Sequence, residues 1–306
     1  MNNVIKVLFL TLFFIIGPAI RLKAAEEVAV IIGEDYKVYS LALDGFKTGY
    51  KGNVVEYLMH GDVDEGKKIV RKIESQSPRL ILTIGNKATQ IAKLNISNIP
   101  IVFSLVINPE QYDLEGKNIC GVRLDVHPQD QIQMLKAVAP QVKKLGVIYN
   151  PDKNSNIIKQ AEELVGQFGI ELMAIKAKSL TDVSEGIRAM EGKIDAFWMI
   201  IDPLVANNDV FEKLLLVSLT ERIGLIVPAQ AFVKKGGLLA IDVDYHRIGI
   251  ETGEMVNQIL SGANTPEAIG IKSPEGIRPV INLKTAQRIG WTIPKAIIEQ
   301  AVVINE

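Results

Sequence analysis

From Ala25 onward, short runs of Val, Ile and Leu alternate with longer segments of helical period, the rhythm of parallel strands covered by helices. In the first half VAVIIG (28–33), VVEYLM (54–59), LILTIG (80–85) and IPIVFSLV (99–106) are apolar on consecutive positions, which predicts strands covered on both faces. The second half repeats the rhythm in KLGVIYN (144–150), IELMAI (170–175), DAFWMII (195–201), GLIVPA (224–229) and LLAIDV (238–243). Between the strands, Ile69, Val70 and Ile73 mark one apolar helix face, and Ile132, Leu135, Val138 and Val142 mark another. Ile157, Ile158, Ala161, Leu164, Val165 and Phe168 mark the clearest amphipathic helix. The predicted class is α/β, with two Rossmann-like lobes, each built on a parallel sheet. A (β/α)₈ barrel is the alternative, disfavoured because strand spacing becomes irregular after Leu238. The 306 residues suit two lobes at roughly 150 residues per domain.

The N-terminus breaks the rhythm. Lys6 precedes the apolar run Val7 to Ile16, and Gly17 and Pro18 follow, the order of a secretory signal peptide. Leu22 and Ala24 fit the pattern before a cleavage site, with Ala25 an equal choice for the last signal residue. The expected signal peptide is 1–24. The run is shorter than the roughly 18 to 20 residues that cross a bilayer, and no cysteine follows it for lipid attachment. A soluble exported protein is expected, and the compartment implied is the periplasm. Cleavage would remove Lys6, Arg21 and Lys23 and no acid, leaving a mildly acidic mature chain.

Composition narrows the chemistry. Lys and Arg number 34 against 35 Asp and Glu, so there is no basic field for a nucleic acid partner. Cys120 is alone, which excludes an intramolecular disulfide and suits a buried small hydrophobe. His60, His127 and His246 are scattered, and no metal site or cofactor is expected. The sequence has no G-x-S-x-G elbow, no G-x-x-x-x-G-K-[ST] loop and no G-x-G-x-x-G after the first strand. The turn there, Gly33-Glu34-Asp35-Tyr36, lacks the glycines that a dinucleotide pyrophosphate needs.

What remains is a set of polar residues at strand ends, where open α/β sheets place ligands. LILTIG runs through Gly85 into Asn86, Lys87, Ala88 and Thr89, a helix start suited to a carboxylate. Ser104, Asn150 and Asp202 end three further strands, and Asn154 and Ser155 lie just beyond Asn150. Asn154 suits helix capping and ligand binding equally. Asp202, before Pro203, suits a turn or the pairing of a ligand ammonium. Tyr36, Phe103 and Tyr149 stand at strand mouths where an aromatic ring can stack on a flat ligand, whereas Trp198 lies inside its strand and reads as core.

The order of LILTIGNKAT, IPIVFSLVINPE, ICGV, KKLGVIYNPDKNSN, DAFWMIIDPLV, GLLAIDVDYHRIGIETGEMVNQILSG and VINLKTAQRIGWTIP resembles the substrate-binding proteins of ABC transporters of the tryptophan/tyrosine-binding type. The resemblance spans nearly the whole mature chain and implies a type I periplasmic-binding-protein fold, with two lobes closing over one small molecule. It implies crossovers near Val142, Tyr245 and Lys272 to Pro279. Lobe one would then hold 25–141 plus about 245–275, and lobe two 142–244 plus about 276–306. It places lobe-one contacts at Gly33 to Tyr36, Gly85 to Thr89 and Ser104. Lobe-two contacts fall at Asn150 to Ser155, Asp202, Ala229 to Gln230 and Asp242. The sequence departs from the family pattern at Gly85-Asn86-Lys87, where Gly-Thr or Gly-Ser is commoner, and at INPE, where a D-P pair is common. Lys87 suits either an anionic ligand or a solvated helix face.

The function implied is that of an exported, monomeric binding protein that delivers an amino-acid-like solute, aromatic ones included, to an ABC permease in the inner membrane. No catalysis is expected. A ligand-sensing subunit for a membrane sensor kinase is the alternative on the same fold. An exported α/β hydrolase or transferase is the alternative from another class, without a nucleophile motif to support it.

Overall fold

A computed structural model describes residues 27–305, and the expected signal segment lies outside them. The strands are β1 (Glu27–Ile32), β2 (Asn53–Leu58), β3 (Leu80–Ile84), β4 (Ile101–Val106), β5 (Ile119–Arg123), β6 (Lys144–Tyr149), β7 (Glu171–Lys176), β8 (Ala196–Trp198), β9 (Gly224–Ile226), β10 (Leu239–Asp242), β11 (Ile271–Lys272), β12 (Arg278–Asn282) and β13 (Val302–Ile304). The helices are α1 (Lys37–Gly49), α2 (Val63–Gln76), α3 (Asn86–Asn95), α4 (Pro128–Val138), α5 (Pro151–Val165), α6 (Leu180–Met190), α7 (Asn208–Glu221), α8 (Gln230–Lys234), α9 (Tyr245–Leu260), α10 (Pro266–Ile269), α11 (Leu283–Ile289) and α12 (Lys295–Ile298).

Two sheets result, and they carry the two predicted lobes. The first has the order β11-β5-β4-β3-β1-β2 and the second β13-β12-β10-β9-β8-β6-β7. Every pairing in the first sheet is parallel. In the second, β12 runs antiparallel to β10. The chain comes to β12 straight from β11 of the other sheet, through 273–277, and so enters from the cleft side against the direction of β10, while β13 runs parallel to it.

Full coverage holds for the interior strands only. All five residues of β3 and all six of β4 are buried, whereas β2 and β7 show mixed exposure. Both are edge strands with one neighbour each. Their apolar runs look the same in sequence as those of the interior strands.

Three passages join the lobes. The helix α4 turns Ile132, Leu135 and Val138 into the same core as Leu145, Val147 and Trp198 of the second sheet. The first passage therefore lies between β5 and α4, at 124–127, earlier than the passage expected near Val142. The second lies between β10 and α9, and the third between β11 and β12. After the second passage α9 returns to cover the first sheet beside α1, with Ile248 and Val256 in one core with Ala42 and Phe46. The two helices touch backbone to backbone. A Cβ on Gly45 would lie 1.9 Å from the His246 carbonyl oxygen, and one on Gly249 would lie 2.0 Å from that of Ala42.

Candidate functional site

Parallel strands aim their C-terminal ends at the cleft, so the predicted polar residues sit on its two rims. On the first rim Gly85 has φ +90°, and a Cβ there would lie 2.2 Å from the Tyr39 hydroxyl, so the turn requires glycine. Its N–H donates to the Ser104 carbonyl at 2.9 Å, tying the ends of β3 and β4 together. Asn86 uses both ends of its amide on one residue: Nδ2 donates to the Ile107 carbonyl at 2.9 Å, and Oδ1 accepts from the Ile107 N–H at 3.0 Å. Thr89 is buried, donates to the Gly85 carbonyl at 2.9 Å and lies 2.8 Å from the Thr83 hydroxyl. Asn86 and Thr89 thus hold the rim in shape with the groups expected to meet a ligand.

Gly33 donates to the Ile84 carbonyl at 3.0 Å and accepts from the Gly61 N–H at 2.8 Å. Beside it, Lys87 pairs with Glu34 at 2.7 Å. Hydrogen bonds from Lys87 and then Tyr36 hold the Glu34 carboxyl below its ordinary range, and the same Glu34 bond raises the Lys87 ammonium. Lys87 is therefore already neutralised by its neighbour. Tyr36 is 53% exposed and packs edge-on against Tyr39 at 5.4 Å. Of the three aromatic candidates it alone presents a surface, because Phe103 and Tyr149 are buried in the two lobe cores. Trp198 is core, as expected, with its indole N–H donating to Gln131 Oε1 at 2.8 Å.

The segment after β4 has a conformation that the sequence reading did not foresee. Leu105 and Asn108 have φ of 56° and 49°, and the β4–β5 register shifts between Ser104 and Val106. Left-handed backbone at non-glycine residues persists only where the surroundings hold it. Here an ion triad does so, with Arg123 and Asp125 buried and Glu110 half-buried. Arg123 bonds Glu110 through Nη1 at 2.6 Å and bonds Asp125 through Nε at 3.1 Å, with a further Nη2 bond to the same carboxylate. The other Asp125 oxygen accepts the Asn108 N–H at 2.8 Å. Ser104 is buried and its hydroxyl has no partner.

On the second rim Asp202 and Asn154 are each 1% exposed. Asp202 Oδ2 accepts the Asn150 N–H and Asn154 Nδ2, both at 2.7 Å, and Oδ1 accepts the Leu204 N–H at 2.8 Å. Asn150 caps α5 by accepting the Asp152 N–H at 3.0 Å. Ser155 is exposed and donates back to the Pro151 carbonyl at 2.6 Å. Asp202, expected to meet a ligand ammonium, is occupied by three donors of its own lobe.

The cavity itself lies between these rims and against the passages, with a volume of about 230 Å³. Its apolar wall comes from Ile157, Met199, Ile200, Ile226, Val227 and Ile241, and its polar groups from Asn108, Asp125, Gln131, Asp242 and Tyr245. Of the predicted site residues Ala229 and Asp242 line it. Gln230 starts α8 next to the lining residue Ala229. Asp242 lies 3.4 Å from Arg278, and burial followed by the Asp242 charge pushes the Tyr245 phenol up. Sequence reasoning missed Asn108, Asp125, Gln131 and Tyr245. Two of them stand in segments quoted for the resemblance, INPE and VDYH, where a polar residue follows an apolar strand.

Among the described residues no helix is long and apolar enough to cross a membrane. No group of three or more His, Cys, Asp or Glu among them is placed to hold a metal ion. The arrangement offers a small, mostly apolar chamber with a few polar groups, the character of a small-molecule site.

The chain is similar over 80% of its length to a tyrosine-binding protein of Clostridioides difficile, with 24% identity over 72% of that protein. Among solved structures it is similar to the ligand-free, open form of a substrate-binding protein with adhesive properties from Clostridium difficile. That match has a TM-score of 0.77 and 23% identity, over 91% of this chain and 99% of that one. An ABC domain in complex with L-Trp from Streptococcus pneumonia matches with a TM-score of 0.63 and 23% identity, over 91% and 99% of the two chains. The family model of the ABC transporter substrate binding protein matches residues 28–304, nearly the whole described chain, and the protein belongs to that family.

Proposed function

We propose that this protein is the exported, monomeric receptor of an ABC uptake transporter, and that it binds one aromatic amino acid between its lobes and delivers it to a membrane permease without chemical change. The observation that carries the reading is the composition of the cavity. Met199, Ile200, Ile226 and Ile241 give a desolvated surface for a flat side chain, while Asp242 gives a carboxylate for an ammonium. The volume of about 230 Å³ is below the roughly 300 Å³ at which pockets for drug-sized ligands begin, which suits a single amino acid. The relatives named for tyrosine and crystallised with L-Trp support the same class of ligand. Export is supported by the N-terminal apolar run ending near Ala24.

The test is a thermal-shift and calorimetric screen of the mature chain against L-tyrosine, L-tryptophan, L-phenylalanine, aliphatic amino acids and small sugars. Ligand at 100 times its dissociation constant stabilises by about 2.7 kcal/mol, which gives a clear shift in melting temperature. An aromatic amino acid should give the largest shift. A sugar or an aliphatic amino acid that shifts melting more than all three aromatics would overturn the ligand class.

A further inference from the structure

Asn108 lines the cavity from the first lobe, and its side-chain Nδ2 donates to Asn154 Oδ1 of the second lobe at 3.3 Å. Asn154 can accept there because its own Nδ2 is committed to Asp202 Oδ2 at 2.7 Å, which fixes which way the amide points. That orientation in turn fixes Asn108 with Nδ2 toward the second lobe. Its Oδ1 is left buried without a partner. A buried amide oxygen with no donor is uncommon in a folded chain and calls for a specific cause.

The backbone around Asn108 is built to hold this placement. Its φ of 49° is a conformation that asparagine tolerates better than other non-glycine residues. The Arg123-bridged triad fixes Asp125, which in turn holds the Asn108 N–H at 2.8 Å. Asn86 clamps the adjacent Ile107 from the other side. A left-handed turn held from two sides, with one amide end crossing to the other lobe and the other end unsatisfied, is more than a loop needs.

We propose that Asn108 is a ligand-reading latch: its Nδ2 ties the two lobes through Asn154, and its Oδ1 accepts a hydrogen bond from the ammonium of the bound solute. This deepens the amino-acid reading above and rests on it for the identity of the donor. Asp242, in the same cavity, supplies the charge and Asn108 a directional neutral acceptor. Binding is thereby coupled to the contact between lobes, because one amide serves both.

The test compares Asn108→Gly with Asn108→Asp in the mature chain. Glycine suits φ 49° and removes the side chain, so lost binding is not a consequence of backbone strain. Aspartate keeps an acceptor oxygen and removes the Nδ2 donor. Spin labels at Leu94→Cys and Leu180→Cys, both exposed and on opposite lobes, report the interlobe distance, with Cys120 buried and out of reach. Without ligand, both variants should broaden and lengthen the distance distribution relative to wild type. An unchanged distribution in both overturns the latch. In calorimetric titration with L-tyrosine and L-tryptophan, Asn108→Gly should bind at least tenfold more weakly than wild type and Asn108→Asp should lose less. Wild-type affinity in Asn108→Gly overturns the ligand contact. If wild type binds neither amino acid, the solute reading fails and the ammonium contact with it, and the distance measurement judges the latch alone.

Discussion

Asn154 Nδ2 donates to Asp202 Oδ2 at 2.7 Å, and both side chains are 1% exposed. The pair joins the first turn of α5 to the loop that follows β8, because the same oxygen also accepts the Asn150 N–H and the second oxygen accepts the Leu204 N–H. A carboxylate is the only side chain that offers acceptors alone at this length. The rim of the second lobe is therefore organised around the negative charge of Asp202.

Asp202→Asn places an NH₂ group where one of these oxygens accepts, so at least one buried donor loses its partner and the charge assistance disappears. Bonds to charged groups contribute about 1.5–3 kcal/mol each, and an unsatisfied buried donor costs about 1–3 kcal/mol. The variant should lose on the order of 2–3 kcal/mol of stability in urea unfolding of the ligand-free protein. Unchanged ligand-free stability together with weakened solute binding would restore the ammonium-pairing role that the strand-end position suggests.

The approach of α1 and α9 gives a prediction about packing. The Ala42 carbonyl stands 2.0 Å from where a Gly249 Cβ would be, and backbone on both sides leaves no side chain to swing away. Gly249→Ala must push the helices apart across the core that holds Phe46 and Ile248. Overpacking of this kind costs about 1–3 kcal/mol and occasionally more. Chemical unfolding should show the loss, whereas Gly262→Ala, with open space around its Cβ, tests the separate cost of a φ of 74°.

Cys120 sits in the middle of β5, fully buried, and burial pushes its thiol up to about 12. The thiolate is the reactive form, so the native protein should resist a thiol reagent at pH 8. One equivalent should react after unfolding in guanidinium. Rapid reaction of the native protein would mean that the first sheet opens far more readily than its coverage implies.

The rhythm of apolar runs located β1 to β4 and β6 to β10 within a few residues, since interior parallel strands must be apolar on both faces. It passed over β5, where Gly121 and Arg123 interrupt the run, and β11, which has two residues. Pro279 hides β12 in the same way. The rims were legible because polar residues at strand ends stand out against what precedes them. Their partners were not: Asp202 meets Asn154 across 48 residues, and Asn86 meets Ile107 across 21. The left-handed turn at Asn108 depends on Arg123 and Asp125, which no local pattern connects to it. The segments whose order resembles the binding-protein family thus reach the cavity at Ala229 and Asp242, while Asn108, Asp125, Gln131 and Tyr245 emerge only when the passages between lobes are placed.

Glu251, on α9, packs against the third passage between the lobes. It is 5% exposed on α9, and its carboxylate oxygens accept the Glu275 N–H at 3.2 and 3.3 Å, so it grips the segment that leads from β11 to β12. Arg247 Nε approaches at 3.7 Å, but the charge of Arg247 is shared with Glu254 and Glu275, which face Glu251 from the helix and from the passage. Burial, which outweighs the Glu275 bond and the attraction of Arg247, pushes the Glu251 carboxyl up to about 7. In the unfolded chain the same group ionises near 4.5. A carboxyl whose pKa is higher folded than unfolded favours the native state while it is protonated. Its contribution is complete below about pH 4.5 and is lost as pH rises through about 7. The folded protein should therefore lose on the order of 2 kcal/mol from this group between those limits, a shift of one unit being worth 1.36 kcal/mol at most. Glu251→Gln mimics the protonated form and keeps an acceptor for the Glu275 N–H. It should match wild type near pH 4.5, exceed it in stability at pH 8, and show a flatter profile between. Urea unfolding of both proteins across that range measures the difference directly. Parallel profiles for the two would mean that Arg247 keeps Glu251 ionised at all of these pH values, and that the third passage carries no pH dependence.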